Sequence, residues 1–176
     1  SDVVGLYSST NTLVFPKNYF ELSEKEKFAV LSKVKGNLKP EAFENEMTRS
    51  TIESIQAIKT IQERNGELGA NRYIISNNES ALNVMETFAM IRLNDWEDPT
   101  VDIIPLFESV DDLQNAHDIM EQLYTNPEYS KHIQARGNKQ TIMLGFSDGT
   151  KDGGYLMANW SIYQAKISLT EISRKY

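Results

Sequence analysis

Two acidic residues stand where parallel α/β sheets carry their chemistry. Glu108 directly follows the apolar run 101–107, and Asp148 comes three residues after the apolar run 141–145. If these runs are neighbouring parallel strands, both carboxylates lie at one edge of the sheet, where such folds place active sites. Two carboxylates with room for water and substrate oxygens suit Mg²⁺ or Mn²⁺. Alternatively, each acid stabilises the start of the following helix through its dipole; the spacing leaves both interpretations open.

Lys151 follows Asp148 in a polar stretch, 146–154, that we interpret as a loop. A lysine there can hold an anionic substrate as a point charge. The alternative is a solvated lysine paired with Asp152. A threonine separates the glycine from Lys151, so the stretch is not a Walker phosphate-binding loop, and its acids lack the spacing of a calcium loop.

The serine and histidine residues do not form a recognisable catalytic triad. Ser109 and Ser147 stand at predicted helix starts, so we interpret them as N-caps rather than nucleophiles. His117 lies on the apolar face of its predicted helix and is expected to pack, whereas His132 lies in a polar segment and is expected to be exposed. The sequence therefore does not favour a serine hydrolase.

Three strand–helix units are predicted to position these residues. The strands are short runs rich in β-favouring residues, at 72–76, 101–107 and 141–145. Each is followed by apolar residues at helical spacing, and connections of this length permit parallel pairing. Pro127 is predicted to start a further short helix that ends at Ala135. The fold class is therefore α/β and helix-rich, with the strands forming part of a parallel sheet or barrel.

Two helices are predicted before the first strand. Ser23 and Glu26 have the spacing of a capping box, which starts a helix ending near Lys35. Isoleucines at intervals of three predict a second helix over 48–64. After the first strand, the pair 77–78, two asparagines, is expected to cap the next helix.

Composition limits the class of protein. The 176 residues are 40% hydrophobic and 24% charged, which is typical of a globular domain; we divide them into a connector, 1–22, and a single domain, 23–176. The net charge of -7 disfavours nucleic-acid binding. The chain has no cysteine, and no apolar run approaches the ~20 residues that cross a bilayer. We therefore expect a soluble, cytoplasmic protein.

Two motifs resemble the central part of the phosphoenolpyruvate carboxylase family. They are Pro-Leu-Phe-Glu-Ser-Val-Asp-Asp-Leu at 105–113 and Met-Leu-Gly-Phe-Ser-Asp-Gly-Thr-Lys-Asp-Gly-Gly at 143–154. Ala-Asn-Trp at 158–160 and Tyr-Gln-Ala at 163–165 continue the resemblance. Tyr-Ile-Ile-Ser-Asn-Asn-Glu-Ser at 73–80 is similar to an earlier barrel strand of that family.

The resemblance implies a TIM-type (β/α) barrel and a lyase that joins bicarbonate to phosphoenolpyruvate, giving oxaloacetate and phosphate. It implies that Glu108 and Asp148 bind Mg²⁺ or Mn²⁺ and that Lys151 lies beside the bicarbonate or phosphate. It further implies a cytoplasmic homotetramer that fixes carbon dioxide and supplies the tricarboxylic acid cycle.

Family members are far longer than this chain, so we expect it to be a partial barrel that is inactive alone. The family's catalytic histidine, an upstream arginine and a downstream Gly-Arg-Gly-Gly loop are absent from the 176 residues. Gly149 and Gly153 replace the serine and alanine usual in the second motif, which makes that stretch more flexible. The alternative is a non-catalytic regulatory or scaffold domain that keeps the barrel motifs only as structure.

Overall fold

The computed structural model describes residues 15–16 and 18–176, except for the side chain of Asp152. The helices are α1 (Glu24–Leu31), α2 (Glu46–Asn65), α3 (Ala81–Arg92), α4 (Val110–Thr125), α5 (Pro127–Ala135) and α6 (Ser147–Lys175). The strands are β1 (Arg72–Ile75), β2 (Asp102–Phe107) and β3 (Met143–Leu144). This order confirms a helix-rich α/β fold with three strand–helix units after two helices. Residues 1–14 and 17 of the predicted connector lie outside the described residues.

The three strands form a parallel sheet in the order β1-β2-β3. Leu106 pairs with Met143 and Phe107 with Leu144. The Gly145 N–H donates to the Phe107 carbonyl at 2.7 Å, which extends this contact by one residue. The carboxyl ends of β2 and β3 are therefore side by side, which is the condition under which Glu108 and Asp148 were expected to share one edge of the sheet. That this sheet is part of a (β/α) barrel stays a prediction, because the sheet of the described residues has three strands.

The described chain divides into two compact units. The first runs up to Arg72 and resumes at Met85–Val101. Its buried core comes from α1, α2, the second part of α3 and the turns between them: Leu31, Leu38, Ile52, Ile55, Met85 and Ile91. The predicted capping box of Ser23 and Glu26 is confirmed at the start of α1. This helix ends at Leu31 rather than near Lys35, because the chain turns there toward the residues that follow α3. In that segment the Leu38 N–H donates to the Leu93 carbonyl at 2.6 Å.

The second unit comprises Tyr73–Val84 and Asp102–Tyr176. Helices α4 and α6 pack along each other and bury small and aliphatic side chains: Ala116, Met120, Leu123, Ala158, Ala165 and Leu169. At the far end of α6, Lys175 donates to Glu121 of α4 at 2.5 Å. This hydrogen bond lowers the pKa of the Glu121 carboxyl below its ordinary value. No helix in the described part of the chain is long and apolar enough to cross a membrane.

The polar stretch 146–154 is helical, so its interpretation as a loop was wrong. Helix α6 begins at Ser147, and the Thr150 N–H donates to the Phe146 carbonyl at 3.1 Å. The only non-helical residue within the helix is Gly154, with φ 78° and ψ 169°. Glycines have low helix propensity, yet backbone hydrogen bonds such as that of Thr150 and the packing of α6 against α4 outweigh it here. The polar residues of the second motif therefore belong to the first turns of a helix with a kink after them.

Two further local predictions differ from the structure. Strand β3 has two residues instead of the predicted five, and Met143 is 38% exposed because β3 is an edge strand of this sheet. The asparagines at 77–78 do not cap α3, which starts at Ala81. Instead the Asn83 side chain accepts hydrogen bonds from the backbone N–H groups of residues 79 and 80, at 3.2 and 3.0 Å.

Candidate metal and anion site

Glu108 lies between the last residue of β2 and the N-cap of α4. Ser109 accepts a hydrogen bond from the Asp112 N–H at 3.0 Å, and the Asp112 carboxylate accepts from the N–H groups of Ser109 and Glu108 at 3.0 and 3.4 Å. This capping box fixes the backbone of Glu108 at the turn from strand to helix. The cap of α4 is therefore Ser109, as predicted, and Glu108 is left to make other contacts.

The Glu108 carboxylate reaches across the sheet edge to the exit of β1. Its Oε2 accepts a hydrogen bond from the Asn77 N–H at 3.1 Å. Asn77 has φ 52°, a left-handed conformation that asparagine tolerates better than most residues. In this conformation the Asn77 N–H points at the Glu108 carboxylate. Asn77 is thus a site residue that the sequence interpretation missed, because it was assigned to a helix cap.

The segment after β3 packs directly on the backbone of Glu108. A Cβ added at Gly145 would lie 3.2 Å from the Glu108 Cα, and one added at Gly149 would lie 3.5 Å from the Glu108 carbonyl oxygen. Gly149 is the residue after Asp148 in the first turn of α6. The structure therefore brings the segment that carries Asp148 against Glu108, at the carboxyl edge of the sheet.

Asp148 and Lys151 form an ion pair on the first turns of α6. The Lys151 Nζ lies 2.6 Å from the Asp148 Oδ1, and their side chains are 75% and 50% exposed. Asp148 also lies in the first turn of α6, where the helix dipole favours a negative charge. Both the carboxylate and the ammonium group are accessible to a ligand from water. The alternative partner of Lys151, the Asp152 side chain, lies outside the described residues.

The structure differs from the predicted roles of some serine and histidine candidates. Ser147 is the first residue of α6 rather than its cap, and the cap position, Phe146, makes no side-chain hydrogen bond. His132 is buried at 8% exposure beside the Tyr129 ring, because it lies on the face of α5 that faces the core. His117 keeps 33% of its side chain exposed and contacts Asp118 at 3.0 Å. The predicted exposure of His132 was therefore wrong, whereas His117, predicted to pack, is partly buried.

The donor set fits a hard divalent cation that keeps much of its water. Among residues 15–16 and 18–176, no group of three or more histidine and acidic side chains is arranged to hold a metal. The candidate ligands are therefore the two carboxylates of Glu108 and Asp148, which lie on segments in contact. Glu108 is partly buried and Asp148 is half exposed. Mg²⁺ is commonly bound by one or two carboxylates, with waters and substrate oxygens completing its shell. The residues present are compatible with that mode and not with a cage made by protein alone.

The fold and the carboxyl edge of its sheet define an α/β protein with acidic residues at the carboxyl ends of parallel strands. Its sequence matches the family model described as phosphoenolpyruvate carboxylase over residues 4–176. The chain belongs to the phosphoenolpyruvate carboxylase family.

Several curated relatives carry the family's name. The chain is 34% identical to the phosphoenolpyruvate carboxylase of Nitrosomonas europaea over 166 residues, which cover 89% of this chain and 18% of the relative. It is 34% identical to that of Prochlorococcus marinus subsp. pastoris, covering 94% and 18%, and 35% identical to that of Synechococcus sp., covering 93% and 16%. The chain thus spans less than a fifth of the length of these relatives.

Proposed function

We propose that this chain supplies the divalent-metal site of a phosphoenolpyruvate carboxylase, with Glu108 and Asp148 as ligands of Mg²⁺ or Mn²⁺. The observation that carries the proposal is the contact of Glu108 with the segment of Asp148, in a chain of this family. Lys151 contacts bicarbonate or the phosphate of phosphoenolpyruvate. In the whole protein a bicarbonate oxygen attacks the phosphorus of phosphoenolpyruvate and the bond from phosphorus to the enol oxygen breaks, giving carboxyphosphate and the enolate. Carboxyphosphate then breaks its carbon–oxygen bond to release carbon dioxide and phosphate, and the enolate carbon attacks carbon dioxide to give oxaloacetate.

Glu108, Lys151 and the metal each have a separate part in this proposal. Glu108 is held by the Asn77 N–H, so one carboxylate oxygen is already oriented. Lys151 lies one helical turn from Asp148 and presents its exposed ammonium group to an anion as a point charge. When bound, the metal supplies a Lewis acid for phosphate and enolate oxygens.

The proposal extends to the whole protein that contains this chain. The three-stranded sheet is part of a (β/α) barrel, since parallel strands in sequential order with helices between them are the repeat of that fold. The complete enzyme is a cytoplasmic homotetramer whose product, oxaloacetate, enters the tricarboxylic acid cycle. The 176 residues alone are inactive, because the family's catalytic histidine, arginine and Gly-Arg-Gly-Gly loop are not among them.

The test uses the full-length protein in wild-type form and as Glu108→Gln and Asp148→Asn. Each substitution keeps shape but removes a negative charge. We expect a fall in oxaloacetate formation larger than the roughly 10–100-fold typical of outer-shell partners of a metal. Asp111→Asn is the matched control, because Asp111 is an exposed acid in the first turn of α4.

Near-normal turnover in either ligand variant would contradict the metal assignment. Oxaloacetate formation by the isolated 176 residues would contradict the proposed inactivity. Turnover by the full-length wild type that is insensitive to chelation of divalent cations would argue against a metal-dependent reaction.

A further inference from the structure

Gly145 fills a narrow space between the ends of β2 and β3. A Cβ at this position would lie 3.2 Å from both the Cα and the Cγ of Glu108 and 3.3 Å from the Phe107 carbonyl oxygen. These distances are shorter than ordinary van der Waals contact between such atoms. Any side chain at 145 therefore requires a neighbouring group to move.

The group that can move most easily is the Glu108 side chain. The Phe107 carbonyl is fixed by the hydrogen bond from the Gly145 N–H, at 2.7 Å. The Glu108 backbone is held by the Asp112 carboxylate, which also accepts from Ser109. The Cγ of Glu108, by contrast, turns about single bonds. A methyl group at 145 would therefore displace the Glu108 side chain most readily, and its contacts with the Glu108 Cα and the Phe107 carbonyl oxygen would require a smaller shift of the backbone.

A displaced Glu108 side chain would lose its contact with the segment after β1. Its carboxylate accepts a hydrogen bond at 3.1 Å from the N–H of Asn77, which follows β1, the strand next to β2 in the sheet. Hydrogen bonds weaken steeply as distance and angle depart from their optimum. A shift of the Cγ by a few tenths of an ångström is amplified at the carboxylate, which lies further from the fixed Cα.

We propose that Gly145 is a positioning residue for Glu108. Its missing side chain leaves the space in which the Glu108 carboxylate meets the Asn77 N–H, and this contact sets the orientation in which the carboxylate is offered to a cation. The geometric part stands on the contacts of these residues alone. The role in cation binding rests on the proposed function.

The first test compares Gly145→Ala with Gly149→Ala in the 176-residue chain. Gly149 is the matched control because it also faces Glu108, but an added Cβ there would meet the nearest atom at 3.5 Å, an ordinary contact distance. Hydrogen exchange of the Asn77 amide is measured by NMR, with Glu108→Ala as the reference for a lost bond. We expect Gly145→Ala to exchange about tenfold faster than wild type, as loss of a bond to a charged acceptor requires, and Gly149→Ala to match wild type. Equal exchange in wild type and Gly145→Ala would overturn the proposal.

A double-mutant cycle separates the side-chain clash from a backbone clash. If the conflict is with the Glu108 side chain, Gly145→Ala costs less stability in a Glu108→Ala background than in the wild type. Folding of the double variant when Gly145→Ala alone fails to fold supports the proposal. An equal loss of stability in both backgrounds means that the backbone clashes, and refutes it.

The second test measures Mn²⁺ binding by electron paramagnetic resonance, which reports the fraction of free aqueous ion. We expect Gly145→Ala to weaken binding about 10–100-fold, the usual effect of losing a group that orients a ligand, with Gly149→Ala unchanged. Equal affinity of wild type and Gly145→Ala would refute the role in cation binding. Failure of the wild type to bind Mn²⁺ would count against the proposed metal site, while the exchange measurement still decides whether Gly145 positions Glu108.

Discussion

At the scale of single residues, Lys151 is expected to contribute little to folding stability and much to the proposed chemistry. Its ion pair with Asp148 is largely exposed, and such pairs contribute less than about 1 kcal/mol to folding. We expect Lys151→Met to leave the free energy of unfolding within that limit. It should lower kcat/KM of the full-length protein about 100-fold, because the proposed contact of Lys151 with the reacting anion would be lost. Urea denaturation and oxaloacetate formation measure the two effects.

Lys166→Met is the control for this prediction. Lys166 is an exposed lysine further along α6, so its loss changes the net charge equally at a distance from Asp148. Equal loss of activity in both variants would mean that the general charge of the protein matters rather than the position of Lys151.

At the scale of elements, Gly154 sets the kink that separates the first turns of α6 from its long remainder. Its φ of 78° and ψ of 169° lie in a region that is essentially confined to glycine and costs a residue with a side chain roughly 1–3 kcal/mol. We expect Gly154→Ala to lower the free energy of unfolding by about that amount in urea denaturation. Gly149→Ala, at a helical glycine with room for a methyl group, should instead raise stability by up to about 1 kcal/mol. Similar stability of both variants would show that the kink is not required.

At the scale of the whole molecule, α6 exposes a continuous apolar stripe to water. Leu156, Trp160, Tyr163 and Ile167 recur at helical spacing and are 82%, 57%, 56% and 41% exposed. Exposed apolar patches of this kind bind hydrophobic dyes. We expect the 176-residue chain to enhance ANS fluorescence and the double variant Leu156→Gln, Trp160→Gln to lose most of that signal without a change in circular dichroism.

Leu68→Gln is the comparison for the dye experiment. Leu68 is 87% exposed in a short 3-10 turn of the first unit, away from the stripe in sequence. An equal loss of fluorescence in Leu68→Gln would mean that the dye binds elsewhere than on α6.

The net charge of -7 gives the whole molecule a further property. A negative protein repels anions such as phosphoenolpyruvate and bicarbonate at long range. In the proposed function, Lys151 on the first turns of α6 supplies a positive charge at the point where these anions bind, and the metal balances the carboxylates beside it.

The sequence by itself determined the order of the elements and several of their ends. The capping box at Ser23, the N-cap Ser109 and the helix Pro127–Ala135 were predictable, because caps and a proline at the first turn act within a few residues. Apolar periodicity likewise predicted three strand–helix units, while the adjacency of β2 and β3 was only a condition of the interpretation.

Only the tertiary structure decided how the edge of the sheet is built. It made the glycine-rich stretch after β3 helical and buried His132, since packing against neighbouring elements outweighs local preference. It also brought the Asn77 N–H to Glu108 and left Gly145 as the gap beside it. These contacts join residues more than 30 positions apart in the chain, and no local pattern of sequence specifies which atoms will meet across such a distance.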